Sequence, residues 1–349
     1  MFTSIIWNIR GINKPTARAY LPSLIKRYQP SILVILEHKS NPSKLKQLAD
    51  KLGFMAFVEN SMINKHIWIM WHPSIVSLTN FIPHEQSIHC CITDISSNKS
   101  CMGSFVYGRW SRHARQRLWS FLLDQTPSHF PWIIAGDFNV VASRQDKKGG
   151  DQLQHDGSIR DFNEFMISAG VSDCGFKGNP FTWSNNQQGV RRVWVRLDRA
   201  LVNGSFMAQF PGVSVTHLDR SISDHAPLLL QLDPIQKPTY KFTYLRMWKS
   251  HATFQGTVAR IWADKISCNP IQNFLQKLKK TASSLTAWNR AIFGNVDRDI
   301  RQTESYITTL ETTLQDGWTE TTAEELVRNV TNQIGAQLHS MNKGIFSSE

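Results

Sequence analysis

The sequence predicts an α/β module with mixed strand connections up to residue 232, followed by a helical appendage over 233–349. Three observations carry this. Short β-branched and aromatic runs are punctuated by Gly, Pro, Asn and Asp, which reads as strands and turns. Segments with apolar residues at helical spacing intervene. After Leu232 the texture becomes polar and helical. In chain order, Phe2 to Trp7 opens as a strand, and Pro15 to Tyr28 follows as a helix with Pro near its first turn. Ser31 to Leu36 is a nearly all-aliphatic strand, and Ser43 to Leu52 is a helix entered after a Pro. Ile67 to Trp71, Ile88 to Thr93 and Cys101 to Val106 are strands, Arg112 to Leu123 a helix, and Trp132 to Ala135 a strand. Ser158 to Ala169 is a helix, and Val193 to Leu197 and Pro227 to Gln231 close the series as strands. Asp233-Pro234 and Lys237-Pro238 then break the pattern before a helix over Ile271 to Ile292. Beyond Asn295 the apolar periodicity is too thin to guarantee a core, so the C-terminal end is expected to be loosely ordered.

Composition narrows the function. The 349 residues hold 39 Lys+Arg against 27 Asp+Glu, a formal charge of +12, with 41% hydrophobic residues, 12 Trp and 19 Phe. Such a chain buries a real core and is not globally disordered. No apolar run approaches the roughly 18 residues of a membrane span, and the first residues lack the features of a secretory signal. Five cysteines without a CxxC pair argue against a disulfide framework or a zinc cluster. The positive excess points to a polyanionic partner.

Five segments deliver polar residues from the ends of apolar strands toward a common rim: Trp7-Asn8-Ile9-Arg10-Gly11, Leu36-Glu37-His38-Lys39, Val106-Tyr107-Gly108, Gly136-Asp137-Phe138-Asn139 and Ser223-Asp224-His225-Ala226-Pro227. Arg196-Leu197-Asp198-Arg199 adds a carboxylate between cations. Each alone reads as a turn former or a structural polar group. Jointly they supply a hydrolytic phosphodiesterase. Glu37 suits Mg²⁺, with Asn8 completing the shell. His225 paired with a carboxylate, preferably Asp198, stays protonated. Asp137 orients and deprotonates an attacking water, while Asn139 and Tyr107 donate to the transition state. Aromatic residues such as Trp68, Trp71, Trp119 and Trp132, and the pair Cys90-Cys91, read as core.

The ordered series WNIRG, ILEHK, VYG with R…LW, GDFN, DKKGG, FTWSN, VRLDRAL and SDHAPL resembles the endonuclease/exonuclease/phosphatase superfamily over residues 3 to 232. Within it, the series is most similar to the apurinic-type endonuclease domain of plant LINE-type (non-LTR) retrotransposons. Trp248, Lys277 to Lys280 and Trp288 to Gly294 resemble the connector that leads to a reverse transcriptase in full-length elements, a domain expected to be absent here. The resemblance implies a DNase I-like four-layer α-β-β-α sandwich of two mixed β-sheets, with its site at one rim. It implies Asn8, Glu37 and the later acid Asp224 at the metal, and Tyr107, Asp137, Asn139, Asp198 and His225 in catalysis. It also puts Thr182 or Ser184 near the substrate phosphate. The implied activity is Mg²⁺-dependent nicking of duplex DNA, with Mn²⁺ as a substitute metal, no membrane partner, and nuclear residence inferred from the substrate. Arg10 stands where some relatives carry a carboxylate, which favours a single metal held mainly by Glu37. Two other readings stand beside this: a catalytically silent nucleic-acid-binding remnant, and a hydrolase of lipid or inositol phosphates.

The charge distribution fits DNA docking. Residues 1–232 carry +9, accounted for by Arg109 to Arg117, Arg144 to Lys148 and Arg191 to Arg199. Arg109, Arg112 and Arg191 are the candidate substrate-binding residues, whereas Arg196 and Arg199 are as readily structural ion pairs. The Thr/Glu-rich stretch Asp297 to Glu325 is acidic and is not expected to touch DNA.

Overall fold

The runs Ile32–Leu36 and Trp132–Asp137 are buried at every position, the signature of strands covered on both faces. Their side chains alternate, so each sheet contributes to two cores. The computed structural model describes residues 2–60, 63–150, 157–220, 222–232, 248–249, 251–263, 270–293 and 296–345. Asp233-Pro234, Lys237-Pro238 and Cys268 lie outside the described residues.

The elements run β1 (Thr3–Asn8), α1 (Pro15–Tyr28), β2 (Ile32–Leu36), α2 (Lys44–Leu52), β3 (Ala56–Asn60), β4 (Asn64–Trp71), β5 (Val76–His84), β6 (Ser87–Asp94) and β7 (Ser100–Tyr107). Next come α3 (Arg112–Asp124), β8 (Trp132–Asp137), β9 (Lys147–Lys148), α4 (Ser158–Ser168), β10 (Val171–Asp173), β11 (Trp183–Ser184), β12 (Trp194–Val195) and β13 (Asp198–Asn203). Helix α5 (Gly204–Gln209), β14 (Ser214–His217), β15 (Leu228–Gln231), α6 (Phe254–Ala263), α7 (Pro270–Phe293), α8 (Val296–Asp316) and α9 (Glu320–Ile345) follow.

One six-stranded sheet has the order β14-β15-β1-β2-β4-β3, the other β10-β13-β8-β7-β6-β5, and β11-β12-β9 form a small third sheet. Both large sheets are mixed: β1 and β2 are parallel, as are β7 and β8, and their other pairings are antiparallel. Between the sheets, Ile6, Val34 and Ile69 meet Ile88, Phe105 and Ile133. On the outer face of the first sheet, Ile5, Trp7 and Leu33 pack under Tyr20 and Leu24 of α1 and Leu45 of α2. On the outer face of the second, Trp132, Ile134 and Leu201 pack under Trp119 of α3 and Phe162 and Phe165 of α4. The architecture is therefore the expected four-layer α-β-β-α sandwich, with a helical C-terminal region.

Val193 to Leu197 is a correction. The long strand begins only at Asp198, because Arg196 turns out of the ladder toward Asp173 and a two-residue strand covers Trp194–Val195.

The chain divides into two units, Met1–Gln236 with Ile307–Val330, and Lys237–Tyr306 with Thr331–Glu349. Residues 307–330 thus group with the first unit. Ile307, Leu310 and Leu314 of α8 and Ala323 and Leu326 of α9 bury themselves against Phe181 and Trp194. The i, i+3, i+7 spacing of the three α8 residues is a narrow stripe among Thr and Glu, which hides it in the sequence. Polar bonds fix its register. Arg220 donates to Glu311, Thr308 donates to Asp219 at 2.6 Å, and Gln315 donates to Asn179 at 3.2 Å. In the second unit, α6 and α7 pack together, and Trp248 Nε1 donates to Asn289 at 2.7 Å.

Candidate active site

The site forms where the central strands of the two large sheets end together. At the tip of β1, Asn8 Nδ2 donates to Asp137 Oδ2 at the tip of β8, 2.9 Å away. The loops beyond β1 and β2 are stitched by Ile9 N to Leu36 O (3.1 Å) and Gly11 N to Glu37 O (2.9 Å). Of the nine non-glycine residues with positive φ among the described residues, Arg10, Glu37, Lys39 and Asn139 stand at this rim. Each such pose costs about 1–3 kcal/mol, and such costs concentrate at functional sites. Gly136 is obligatory for a related reason: at φ 145° any Cβ would lie 2.0 Å from Val106 O, so only glycine lets β8 approach β7 and deliver Asp137.

Asp137 is fully buried and multiply bonded. Its Oδ1 accepts from Asn139 N at 2.9 Å, and its Oδ2 accepts from Asn8 Nδ2 and from Asn139 Nδ2 at 3.2 Å. Antiparallel pairing of β8 and β13 sets Asp198 directly opposite Asp137. Two like charges so placed repel, and His225 offsets them. Its Nδ1 donates to Asp198 Oδ2 at 2.9 Å, and its Nε2 stands 3.8 Å from Asp137 Oδ2. Burial alone would lower the imidazole, but the Asp198 carboxylate and then Asp137 outweigh it and push it up to about 9. Burial pushes the Asp137 carboxyl up to about 6, with the His225 cation opposing and the Asp198 charge adding. The 3.8 Å separation exceeds a direct hydrogen bond, so the contact between Nε2 and Asp137 is one of charge.

A second cluster adjoins the first. Glu37 Oε1 accepts from the Tyr107 hydroxyl, whose own pKa is raised by burial and by Glu37. Glu37 Oε2 is buried and makes no hydrogen bond, and Arg10 Nε and Lys39 Nζ each stand 3.4 Å from it. Arg10 Nε also lies 3.3 Å from Asp224 Oδ2, which accepts from Trp183 Nε1 at 3.1 Å. Asn8 Oδ1 accepts from Arg10 N at 3.2 Å. Glu37 and Asp224 flank Arg10 Nε, and with the Asn8 amide oxygen nearby they offer oxygen donors of the kind a hard divalent ion takes; Glu37 Oε2, buried and without a hydrogen bond, fits such a ligand role. The ligand atoms of Asp137, Asp198 and His225 also fall within 4.8 Å of one another. Those three could hold a metal ion with the imidazole neutral and share a proton with it cationic, and Glu37 is a second candidate carboxylate for an ion.

Other expected residues take different positions. Asn139 and Tyr107, expected to donate to the transition state, point at carboxylates instead, and Asn139 Nδ2 also donates to Gly108 O at 2.7 Å. Thr182 is fully buried, and its hydroxyl accepts from Leu197 N and Asp198 N, each at 3.0 Å. It holds the Asp198 backbone. The buried Ser184 hydroxyl accepts from Asn186 N at 3.2 Å. Arg112 is clamped on Asp161 by bonds of 2.7 and 2.8 Å, Arg117 pairs with Glu85, and buried Arg115 donates to the carbonyls of Arg109 and Trp110. Arg199 bridges Asp146 and Asp173, and Arg196 joins Asp173, so both are structural. Arg109 stays at the rim, where its charge, after burial, helps hold His66 down beside the Tyr107 ring. Arg191 is exposed on the turn Gly189–Arg191. Ser223 was not anticipated. Its hydroxyl donates to Asn8 O at 2.9 Å and accepts from His225 N, tying the histidine loop to β1.

The profile of the endonuclease/exonuclease/phosphatase family matches residues 5–225, a span that contains every one of these site residues. The chain belongs to this family. Solved structures agree in fold. An AP endonuclease from Leishmania major superposes with a TM-score of 0.52 at 15% identity, covering 66% of this chain and 86% of that one. A 3′ phosphatase from Neisseria, solved with a product DNA hairpin, gives 0.51 at 18% identity, covering 67% and 100%. A 3′-5′ exonuclease from Neisseria meningitidis gives 0.51 at 19%, covering 66% and 99%. No curated relative matches the chain by sequence. Family members hydrolyse phosphoester bonds and are typically divalent-metal dependent, in keeping with the acidic cluster here. Among the described residues no helix is long and apolar enough to cross a membrane.

Proposed function

We propose that the chain is a Mg²⁺-dependent endonuclease of the LINE-type retrotransposon kind that nicks duplex DNA by direct attack of water. The observation that carries this reading is the convergence on Asp137 of Asn8, Asn139 and His225, beside a Glu37 oxygen left without a hydrogen bond. With its carboxyl pushed up to about 6, Asp137 is poised to take a proton from water near neutral pH. Asn8 and Asn139 fix its orientation. His225, held cationic by Asp198, donates from Nε2 to a phosphoryl oxygen and stabilises charge that grows in the transition state. Glu37, held by Tyr107, would bind the ion with Asn8 and Asp224, and the bound ion would supply Lewis-acid polarisation of the phosphoryl group. Thr182 and Ser223 position Asp198 and His225.

In this reading 1–232 is the catalytic module, braced by 307–330, and the remainder is the connector. Arg109 and Arg191 are the rim cations for the DNA backbone. Duplex DNA as substrate assigns the enzyme to the nucleus. Water attack leaving 3′-hydroxyl and 5′-phosphate ends gives nicks that DNA ligase reseals. Supercoiled plasmid incubated with the protein and Mg²⁺ should therefore yield open circles that ligase closes. Open circles refractory to ligase, or inositol phosphates hydrolysed in preference to DNA, would overturn it.

A further inference from the structure

We propose that Arg10 is a tethered counter-cation of the metal site, holding the place between Glu37 and Asp224 that a divalent ion takes, and swinging out when the ion binds. The proposal rests on the assignment of Glu37 and Asp224 as metal carboxylates.

The contrast with the other arginines motivates it. Arg112 grips Asp161 through two hydrogen bonds of 2.7 and 2.8 Å, and Arg199, with its side chain 2% exposed, binds Asp146 at 2.6 Å and Asp173 at 2.9 Å. These are fixed forks. Arg10 Nε stands instead 3.4 Å from Glu37 and 3.3 Å from Asp224. That nitrogen is buried and makes no hydrogen bond to either oxygen. Its interaction is one of charge without directed bonding, the kind a compact ion replaces at little cost. The Glu37 side chain is about nine-tenths buried, so its unpartnered oxygen gains much from a true ligand bond.

The way out is open as well. Arg10's side chain is 37% exposed, and its backbone sits at φ 51°, anchored by its own N–H on Asn8 Oδ1. The backbone therefore stays while the guanidinium moves. Glu37, Asp224, Arg10 and Lys39 together are neutral, which keeps two close carboxylates compatible before the ion arrives. Once displaced, the guanidinium remains tethered at the rim, where a planar donor fork suits a phosphate oxygen pair.

The test is calorimetric titration of the full chain with Mg²⁺ and Mn²⁺, comparing wild type with Arg10→Met and Arg10→Lys, alongside thermal melting with and without the ions. Removing the competing cation should tighten ion binding about tenfold, the equivalent of about 1.4 kcal/mol. The Coulomb attraction at this separation allows more, but partial exposure screens it. Arg10→Met should melt lower than wild type in chelator and gain more from the ion, and Arg10→Lys should stay near wild type in both. Plasmid nicking by Arg10→Met should slow even with the ion saturating. Ion affinity in Arg10→Met that is unchanged or weaker, in a protein that still melts cooperatively, overturns the proposal, as does the absence of ion binding in every form. A wild type that nicks no DNA while Arg10→Met still binds the ion more tightly would instead remove the nuclease reading and leave the cation exchange standing.

Discussion

Replacing Asp198 by Asn isolates the electrostatic core of the site. In the native protein His225 Nδ1 lies 2.9 Å from Asp198 Oδ2, both groups are buried, and the imidazole is pushed up from 6.5 to about 9. That difference corresponds to about 3 kcal/mol in favour of the cation. The amide keeps the shape and one acceptor but removes the first of the two carboxylates that outweigh burial, and burial favours the neutral ring. The variant's imidazole should therefore titrate well below its wild-type midpoint, leaving it neutral near physiological pH, and turnover should fall about 10²–10⁴-fold. The assay is NMR titration of ring-labelled histidines, with the His225 resonance identified by its loss in His225→Gln.

The linked stability has a definite sign. His225 binds its proton more tightly folded than unfolded, so its contribution is full below pH 6.5 and is lost as pH rises through about 9. Asp137, raised from 3.8 to about 6, acts in the same direction at lower pH, favouring the fold below 3.8 and losing that contribution as pH rises through 6. The Asp198→Asn variant should lose the upper part of this decline. A wild-type His225 midpoint at or below 6.5, or one that Asp198→Asn leaves in place, would refute the reasoning.

Leu310→Ala, which opens a cavity between α8 and the Phe181–Trp194 patch, should cost about 2–5 kcal/mol in denaturant unfolding. A chain ending at residue 236 should melt lower still, because that patch would meet water. Arg199→Met leaves Asp146 without its cation and Asp173 with Arg196 alone and should destabilise the fold by about 3–5 kcal/mol, whereas Arg109→Ala should leave the melt unchanged and reduce the salt dependence of DNA binding. Trp110 is 86% exposed beside Arg109, on a segment held by Arg115, and under the proposed nuclease reading its ring offers a face for a base to stack on. Trp110→Ala should weaken oligonucleotide binding roughly 5- to 100-fold in fluorescence anisotropy, with Trp110→Phe near wild type.

Much of this site was legible because its residues sit at strand ends that the apolar runs already mark. Asn8, Glu37, Tyr107 and Asp137 follow directly from β1, β2, β7 and β8, and the His225–Asp198 pairing follows from the need for a carboxylate partner. What escaped depends on partners remote in sequence. Arg112 looks like a DNA contact until Asp161, on another helix, is seen to hold it. Thr182 looks like a phosphate ligand until its hydroxyl is found on the Asp198 amide. Edge strand β5, with Asn80, Pro83 and His84 among its residues, lacks the apolar continuity of the central strands. The C-terminal helices were expected, but the packing of 307–330 on the first unit was not, because three apolar residues of α8 are diluted by Thr and Glu. The general basicity resolves in the same terms, since several of the arginines behind it are paired inside the fold and Arg109 and Arg191 remain at the surface.

The central claim, that Glu37 and His225 serve one metal-dependent phosphodiester cleavage, is tested most directly by supercoiled plasmid nicking with Mg²⁺, comparing wild type, Glu37→Ala and His225→Ala at matched folding. The account predicts open-circle formation by wild type, its abolition by chelator, and a loss of at least about 100-fold in each variant. Equal activity in all three proteins, or a folded wild type that leaves the plasmid supercoiled, would contradict it.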